Sequence, residues 1–320
     1  MTLKLAVIGA GVMGTNHARV ASTVAEFDLA WIVDADGERA KAAAAAHGAS
    51  AETDPMAVIG QVDAAIVALP TKLHAEVAVP LLEAGVHCLV EKPLAGEVDD
   101  AQRIIDAAQA SGAILAVGHV ERFNPAILEL DKLVGDVVHV EAQRVGPFSA
   151  RVADSVVIDL MIHDLDLVRS LAGGEAESVT AISQRLHTDN EDLATALLHF
   201  DSGVTAVVTA SRLGQQKTRE LRITQPDSQI VVDLMRTDVT VHRVEHAEFT
   251  GPEGTVYRQQ GVVEIPMVET RGEPLWLEQR EFAVAINEER EPRVGGNDGL
   301  EALKLALRVV EVCRSTQDAK

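Results

Sequence analysis

Through roughly the first 120 residues, short apolar runs alternate with segments whose apolar residues recur every three or four positions. Residues 3–8, 29–33, 64–69, 86–90 and 114–117 are apolar on both faces of a strand, and 13–24, 36–47, 73–84 and 98–110 carry helical periodicity. Doubly apolar strands separated by helices predict βαβ units and a buried parallel sheet, an α/β doubly wound domain. After Asn124 the rhythm changes. A helix over 125–133, a run at 137–144 and a long helical segment over 156–171 lead into period-two runs at 178–186, 194–200, 204–211, 220–224, 229–234 and 239–244. Such runs, broken by Asp201-Ser202-Gly203 and Pro226-Asp227, predict a mostly antiparallel open sheet with one face on helices. Helices over 275–288 and 298–313 close the chain. The pattern therefore predicts a Rossmann-type domain over 1–120 and an α+β domain over 121–320.

Composition narrows the functional classes. The 320 residues hold 28 Lys+Arg against 49 Asp+Glu, a formal charge of −21, which opposes any sequence-independent grip on nucleic acid or anionic lipid. Two cysteines, Cys88 and Cys313, are too few for a disulfide framework and have no metal-ligand spacing. No run reaches the ~18 apolar residues of a membrane span, and glycines interrupt the first apolar run before any cleavage signal. The expected setting is the cytoplasm.

The strongest local signal is Gly9-Ala10-Gly11-Val12-Met13-Gly14, a G-x-G-x-x-G between the first strand and the first helix. Gly9 permits the tight turn, Gly11 lets backbone approach a pyrophosphate and Gly14 permits close helix-strand packing, with the helix N-terminus facing the phosphates. Asp34 ends the second strand, where a carboxylate accepts from both ribose hydroxyls and repels a 2′-phosphate. A dinucleotide is therefore expected, and NAD rather than NADP.

Two further constellations carry candidate chemistry. Glu91-Lys92-Pro93 lies just beyond the carboxyl end of the fifth strand, on the rim where open α/β sheets bind ligands; by spacing alone Lys92 is equally a solvated loop residue. Asp159 and His163 stand four apart on one helical face, which fits a general base oriented by an acid, an ordinary surface pair, or, with Asp166, part of a metal site. No metal is expected.

Together with Ala68-Leu69-Pro70-Thr71 and His74 after the fourth strand, these motifs resemble the glucose-fructose oxidoreductase / inositol dehydrogenase / rhizopine-catabolism (Gfo/Idh/MocA) family over essentially the whole chain. The resemblance implies that Lys92 and His163 lie beside the nicotinamide and the reacting sugar hydroxyl. Residues 118–125, 157–166 and 273–275 are similar to its UDP-N-acetylglucosamine 3-dehydrogenase branch, which oxidises the sugar 3-hydroxyl. One departure is Ser155-Val156-Val157, where many polyol dehydrogenases of the family carry Gly-Gly.

On this footing His163, oriented by Asp159, is the expected proton acceptor and Lys92 the charge at the developing alkoxide, with Lys92 as alternative base. Gly9, Gly11, Val12, Met13, Gly14, Asp34, Leu69, Pro70, Thr71, His74, Glu91, Lys92, Pro93 and Arg122 are the expected cofactor contacts. Lys92, Arg122, Arg144, Asp159 and His163 are the expected substrate contacts, with Arg151 a further cation. The alternatives are a free polyol or sugar as substrate, an NAD-dependent glycosidase and a non-catalytic cofactor-binding regulator. The open sheet and the family's habit imply an even-numbered homo-oligomer, a dimer or tetramer.

Overall fold

Two stretches of sequence build each of two units: Met1–Phe123 with Gly272–Lys304, and Asn124–Arg271 with Leu305–Lys320. The computed structural model describes residues 1–149, 154–251 and 254–318. Arg151 lies outside the described residues.

The first unit begins with β1 (Leu3–Ile8), α1 (Val12–Ala21), β2 (Phe27–Val33), α2 (Gly37–His47), β3 (Ser50–Glu52) and β4 (Ala64–Val67). It continues with α3 (His74–Glu83), β5 (His87–Glu91), α4 (Val98–Ser111) and β6 (Leu115–Gly118). The six strands are parallel in the order β3-β2-β1-β4-β5-β6, so the order reverses between β1 and β4. All four residues of β4 are 0% exposed, as strands covered on both faces require. Helix ends are set locally. Asp36 accepts from the amides of Glu38 and Arg39 at the start of α2, and Gly48, at φ 73°, ends it.

The second unit contains α5 (Pro125–Leu133), β7 (His139–Val145), a wide π turn over Val157–Met161, α6 (Ile162–Ala172), β8 (Ala176–Gln184) and β9 (Leu193–Phe200). Then come β10 (Thr205–Ser211), β11 (Thr218–Thr224), β12 (Ser228–Asp233), β13 (Asp238–Gly251) and β14 (Gly254–Glu264). The eight strands lie in the order β14-β13-β12-β11-β7-β10-β9-β8, with only β7 and β10 parallel. One face is apolar and buried, including Val140, Ala142, Ala206, Val208, Leu198, Phe200, Leu221 and Ile223. The other carries Leu197 at 52% and Ile182 at 61% exposure. Among the described residues, no helix is long and apolar enough to cross a membrane.

The chain ends with α7 (Pro274–Asn287) and α8 (Gly296–Asp318). Although it lies far beyond the boundary expected after residue 120, α7 is grouped with the first unit. Its Leu275, Phe282, Ala283 and Ile286 join Leu3, Leu5, Phe27 and Leu29 in one apolar cluster. Phe27 and Phe282 have ring centroids 6.4 Å apart, and Val117 donates its amide to the Val294 carbonyl beside β6. A face of β1, β2 and α1 would otherwise meet water.

Candidate active site

The glycines after β1 differ in what they permit. A Cβ on Gly14 would overlap the Gly9 carbonyl, and one on Gly9, itself at φ +99°, would overlap the Ala68 carbonyl beyond β4. These two therefore set how closely α1, β1 and β4 approach at the reversal of strand order. A Cβ on Gly11 would meet no atom within 4 Å, so its small size serves something outside the protein's own packing. Gly11 caps α1 with no side-chain hydrogen bond, the first turn has no acidic residue, and Val12 and Met13 are exposed. The first amides of the helix are thus open to an anion, which fits the pyrophosphate of a dinucleotide.

Asp34 stands at the end of β2, 9% exposed. Its Oδ2 accepts from the Ala10 amide at 2.8 Å and its Oδ1 from the Asp36 amide at 2.9 Å. The carboxylate is therefore fixed to the glycine turn. Arg39 Nη1 lies 3.5 Å from Oδ2, on a side chain that is 53% exposed. Ala35 and Asp36 follow Asp34 in sequence, and it is the first turn of α2 that brings an arginine to it.

Leu69 and Thr71 are half-buried and Pro70 exposed. His74 is 1% exposed and faces carbonyl oxygens with both ring nitrogens: Nδ1 lies 3.1 Å from Pro93 O and 3.2 Å from Leu94 O, and Nε2 lies 2.9 Å from Leu69 O. It staples the loop after β4 to the loop after β5.

Glu91, the last residue of β5, is 8% exposed. Burial pushes its carboxyl up, but the His17 hydrogen bond, with the charge and the backbone amide of Lys92, more than offsets this and holds it below the usual carboxylate range. Lys92 is half-buried, and its peptide bond to Pro93 is cis. Nearby Glu278 is 1% exposed with no hydrogen bond to either carboxyl oxygen. Burial first, then the charges of Glu91 and Glu281, pushes it well above the usual carboxylate range. Arg122 belongs to the first unit, in a 3₁₀ turn over Val120–Phe123, and pairs with Asp298 at 3.3 Å.

In the second unit the helical segment expected over 156–171 is found, but it is not uniform. Its first part is the π turn, which contains Asp159, and His163 follows at the start of α6. Such wide turns recur at functional sites. Both residues are half-buried. Asp159 Oδ2 lies 4.0 Å from Arg212 Nη2, and the same nitrogen donates to the Asp154 carbonyl at 2.6 Å. Arg212, 4% exposed just beyond β10, stands beside the candidate residue Asp159 without being legible in the sequence, since nothing local to 211–213 marks it. Arg144, expected among the substrate contacts, is 3% exposed and forks onto Asp164 through Nε and Nη2, both at 2.8 Å. Its guanidinium ties β7 to α6. Asp166 is 1% exposed, and among the described residues no group of three His, Cys, Asp or Glu side chains could hold a metal ion.

The comparisons with known proteins follow this geometry. Residues 3–119 match the model of an oxidoreductase family with an NAD-binding Rossmann fold, and residues 130–231 match the GFO/IDH/MocA C-terminal domain. The UDP-N-acetylglucosamine 3-dehydrogenase of Acidithiobacillus ferrooxidans is 34% identical over 96% of both chains. Its solved structure superposes with a TM-score of 0.88, covering 98% of this chain and 99% of that one. An inositol 2-dehydrogenase of Rhizobium meliloti is 28% identical, over 96% of this chain and 95% of that protein. With two family models matched over residues 3–119 and 130–231 and a relative 34% identical over 96% of both chains, the chain belongs to the Gfo/Idh/MocA family of NAD-binding oxidoreductases.

Proposed function

We propose that this dehydrogenase oxidises the 3-hydroxyl of UDP-N-acetylglucosamine, or of a related nucleotide sugar, to a ketone. The observation that carries the reading is the match to the Acidithiobacillus ferrooxidans enzyme, of equal extent in both chains. Bound NAD supplies a hydride acceptor. The open amides of α1 bind its pyrophosphate, and Asp34, pinned by Ala10 and Asp36, accepts from its ribose. His163 takes the hydroxyl proton, Asp159 orients it, and Lys92 donates to the oxygen as negative charge develops. Arg39 beside Asp34 supports a second cofactor reading, tolerance of NADP, since its guanidinium suits a 2′-phosphate.

A panel of UDP-sugars, free sugars and inositols, each with NAD and with NADP and read by absorbance of the reduced cofactor, tests this. The expected result is turnover on UDP-N-acetylglucosamine with NAD. Turnover on inositol alone assigns a free polyol, and binding of reduced cofactor with no turnover assigns a regulator. The open sheet face with Ile182 and Leu197 is proposed as the contact of an even-numbered homo-oligomer in the cytoplasm; a monomer by light scattering overturns the oligomer.

A further inference from the structure

A buried chain of hydrogen bonds in the first unit links α7 to Lys92. Gln279 Nε2 lies 3.2 Å from the His17 carbonyl and 3.0 Å from His17 Nδ1. A carbonyl oxygen accepts only, so it fixes the amide with nitrogen towards His17. That nitrogen then donates to Nδ1 as well, and Nδ1 must be the acceptor. The ring proton is therefore on Nε2, which lies 2.7 Å from Glu91 Oε1 and donates to it. The other carboxylate oxygen, Oε2, accepts from the Lys92 amide at 3.1 Å. His17 and Gln279 are both 0% exposed, so water does not replace these bonds.

We propose that His17 and Gln279 are positioning residues for Lys92. Gln279 sets the tautomer and the plane of His17, His17 sets the Glu91 carboxylate, and Glu91 sets the backbone from which the Lys92 side chain departs. The arrangement also joins two functions in one helix, since α1 offers its N-terminus to the cofactor and carries His17 about one and a half turns further on. The inference rests on the reading of Lys92 as the charge at the reacting oxygen, but the bonds that carry it lie wholly within the first unit.

Three variants test it: His17→Met, which removes the donor to Glu91; Gln279→Met, which frees the ring to rotate; and His17→Gln, whose amide nitrogen can reach Glu91 as Nε2 does. The first measurement needs neither substrate nor cofactor. Folded protein, checked by melting and circular dichroism, is treated briefly with an amine-reactive ester, and acylation of Lys92 is read by peptide mass spectrometry against Lys132. In both Met variants a loosened Lys92 should label several-fold faster relative to Lys132, while His17→Gln stays at the wild-type ratio. The second measurement is the split of kcat from KM on the substrate found in the panel. The Met variants should lose roughly 10- to 100-fold in kcat, the scale of a misplaced catalytic group, with KM for NAD little changed, and His17→Gln should recover most of it. Met variants that melt earlier but keep the wild-type labelling ratio would overturn the proposal. If wild-type protein turns over none of the panel, the labelling ratio still decides the positioning role, so its failure and that of the proposed substrate are distinguishable.

Discussion

The two units hold their candidate residues by different means. In the first, most fixed points are backbone groups, the His17–Glu91 and Arg122–Asp298 side-chain pairs aside: the Gly9 and Ala68 carbonyls that exclude a Cβ, the Ala10 and Asp36 amides on Asp34, and the three carbonyls around His74. In the second they are ion pairs between side chains, Arg144 with Asp164 and Arg212 with Asp159. The difference teaches where each unit is vulnerable. A site set by backbone is sensitive to what a new atom displaces, whereas one set by paired charges is sensitive to removal of either partner.

The sharpest test of that division is His163→Ala. The variant should lose roughly 10²–10⁴-fold in turnover, the span of a general base, while fluorescence titration shows wild-type NADH affinity, because the cofactor elements belong to the other unit. Near-normal turnover would remove His163 from the chemistry. Next is Arg144→Met, which leaves the buried Asp164 carboxylate without the guanidinium that forks onto it. It should destabilise the protein by about 3–5 kcal/mol in denaturant unfolding. Pairing it with Asp164→Leu should recover much of the loss, and a lone Arg144→Met with unchanged stability would refute a structural role for the pair. A third test sets two glycines against each other. Gly14→Ala should cost about 1–3 kcal/mol from overpacking and lose NADH binding. Gly11→Ala should keep the wild-type melting temperature and lose only NADH affinity, since its Cβ meets no protein atom.

The smallest effect is a pH dependence in the second unit. Burial alone would raise the Asp192 carboxyl, but the amides of His187, Leu186 and Thr188 and the Thr188 hydroxyl outweigh it and lower it to about 2. A folded value below the unfolded one means stability that is present above about pH 4 and lost as pH falls towards 2. Asp192→Asn should therefore be less stable than wild type at pH 7 and flatten the acid limb of unfolding over that range. An unchanged limb would show that this turn contributes nothing to acid sensitivity.

Much of this architecture is legible in local sequence. The helix over Pro125–Leu133 is found at its predicted bounds, because Asn124 caps it and proline follows at its first position. The strand β1 likewise coincides with its apolar run. Ser50–Glu52 escapes notice because one exposed and two half-buried residues at a sheet edge carry no period. The strand Gly254–Glu264 escapes because polar residues and Gly261 break its alternation, although it pairs along β13. The π turn over Val157–Met161 leaves no mark in a pattern that reads as ordinary helix. For the candidate site, the fingerprint and Asp34 are local signals. The partner that fixes His17 is 262 residues away, beyond any spacing argument, and the return of 272–304 to the first unit is a matter of which apolar faces fit.

That return has a consequence for the order of events during synthesis. The cluster that seats β1 and β2 is completed only by Leu275, Phe282, Ala283 and Ile286. A ribosome adding about 5–20 residues per second needs roughly 10–35 s to travel from residue 123 to residue 304. Throughout that interval the nascent cofactor-binding half presents an apolar face that its own later segment must cover. A fragment ending near residue 120 would carry the glycine fingerprint but remain an arrested intermediate, prone to self-association and a natural client for chaperones.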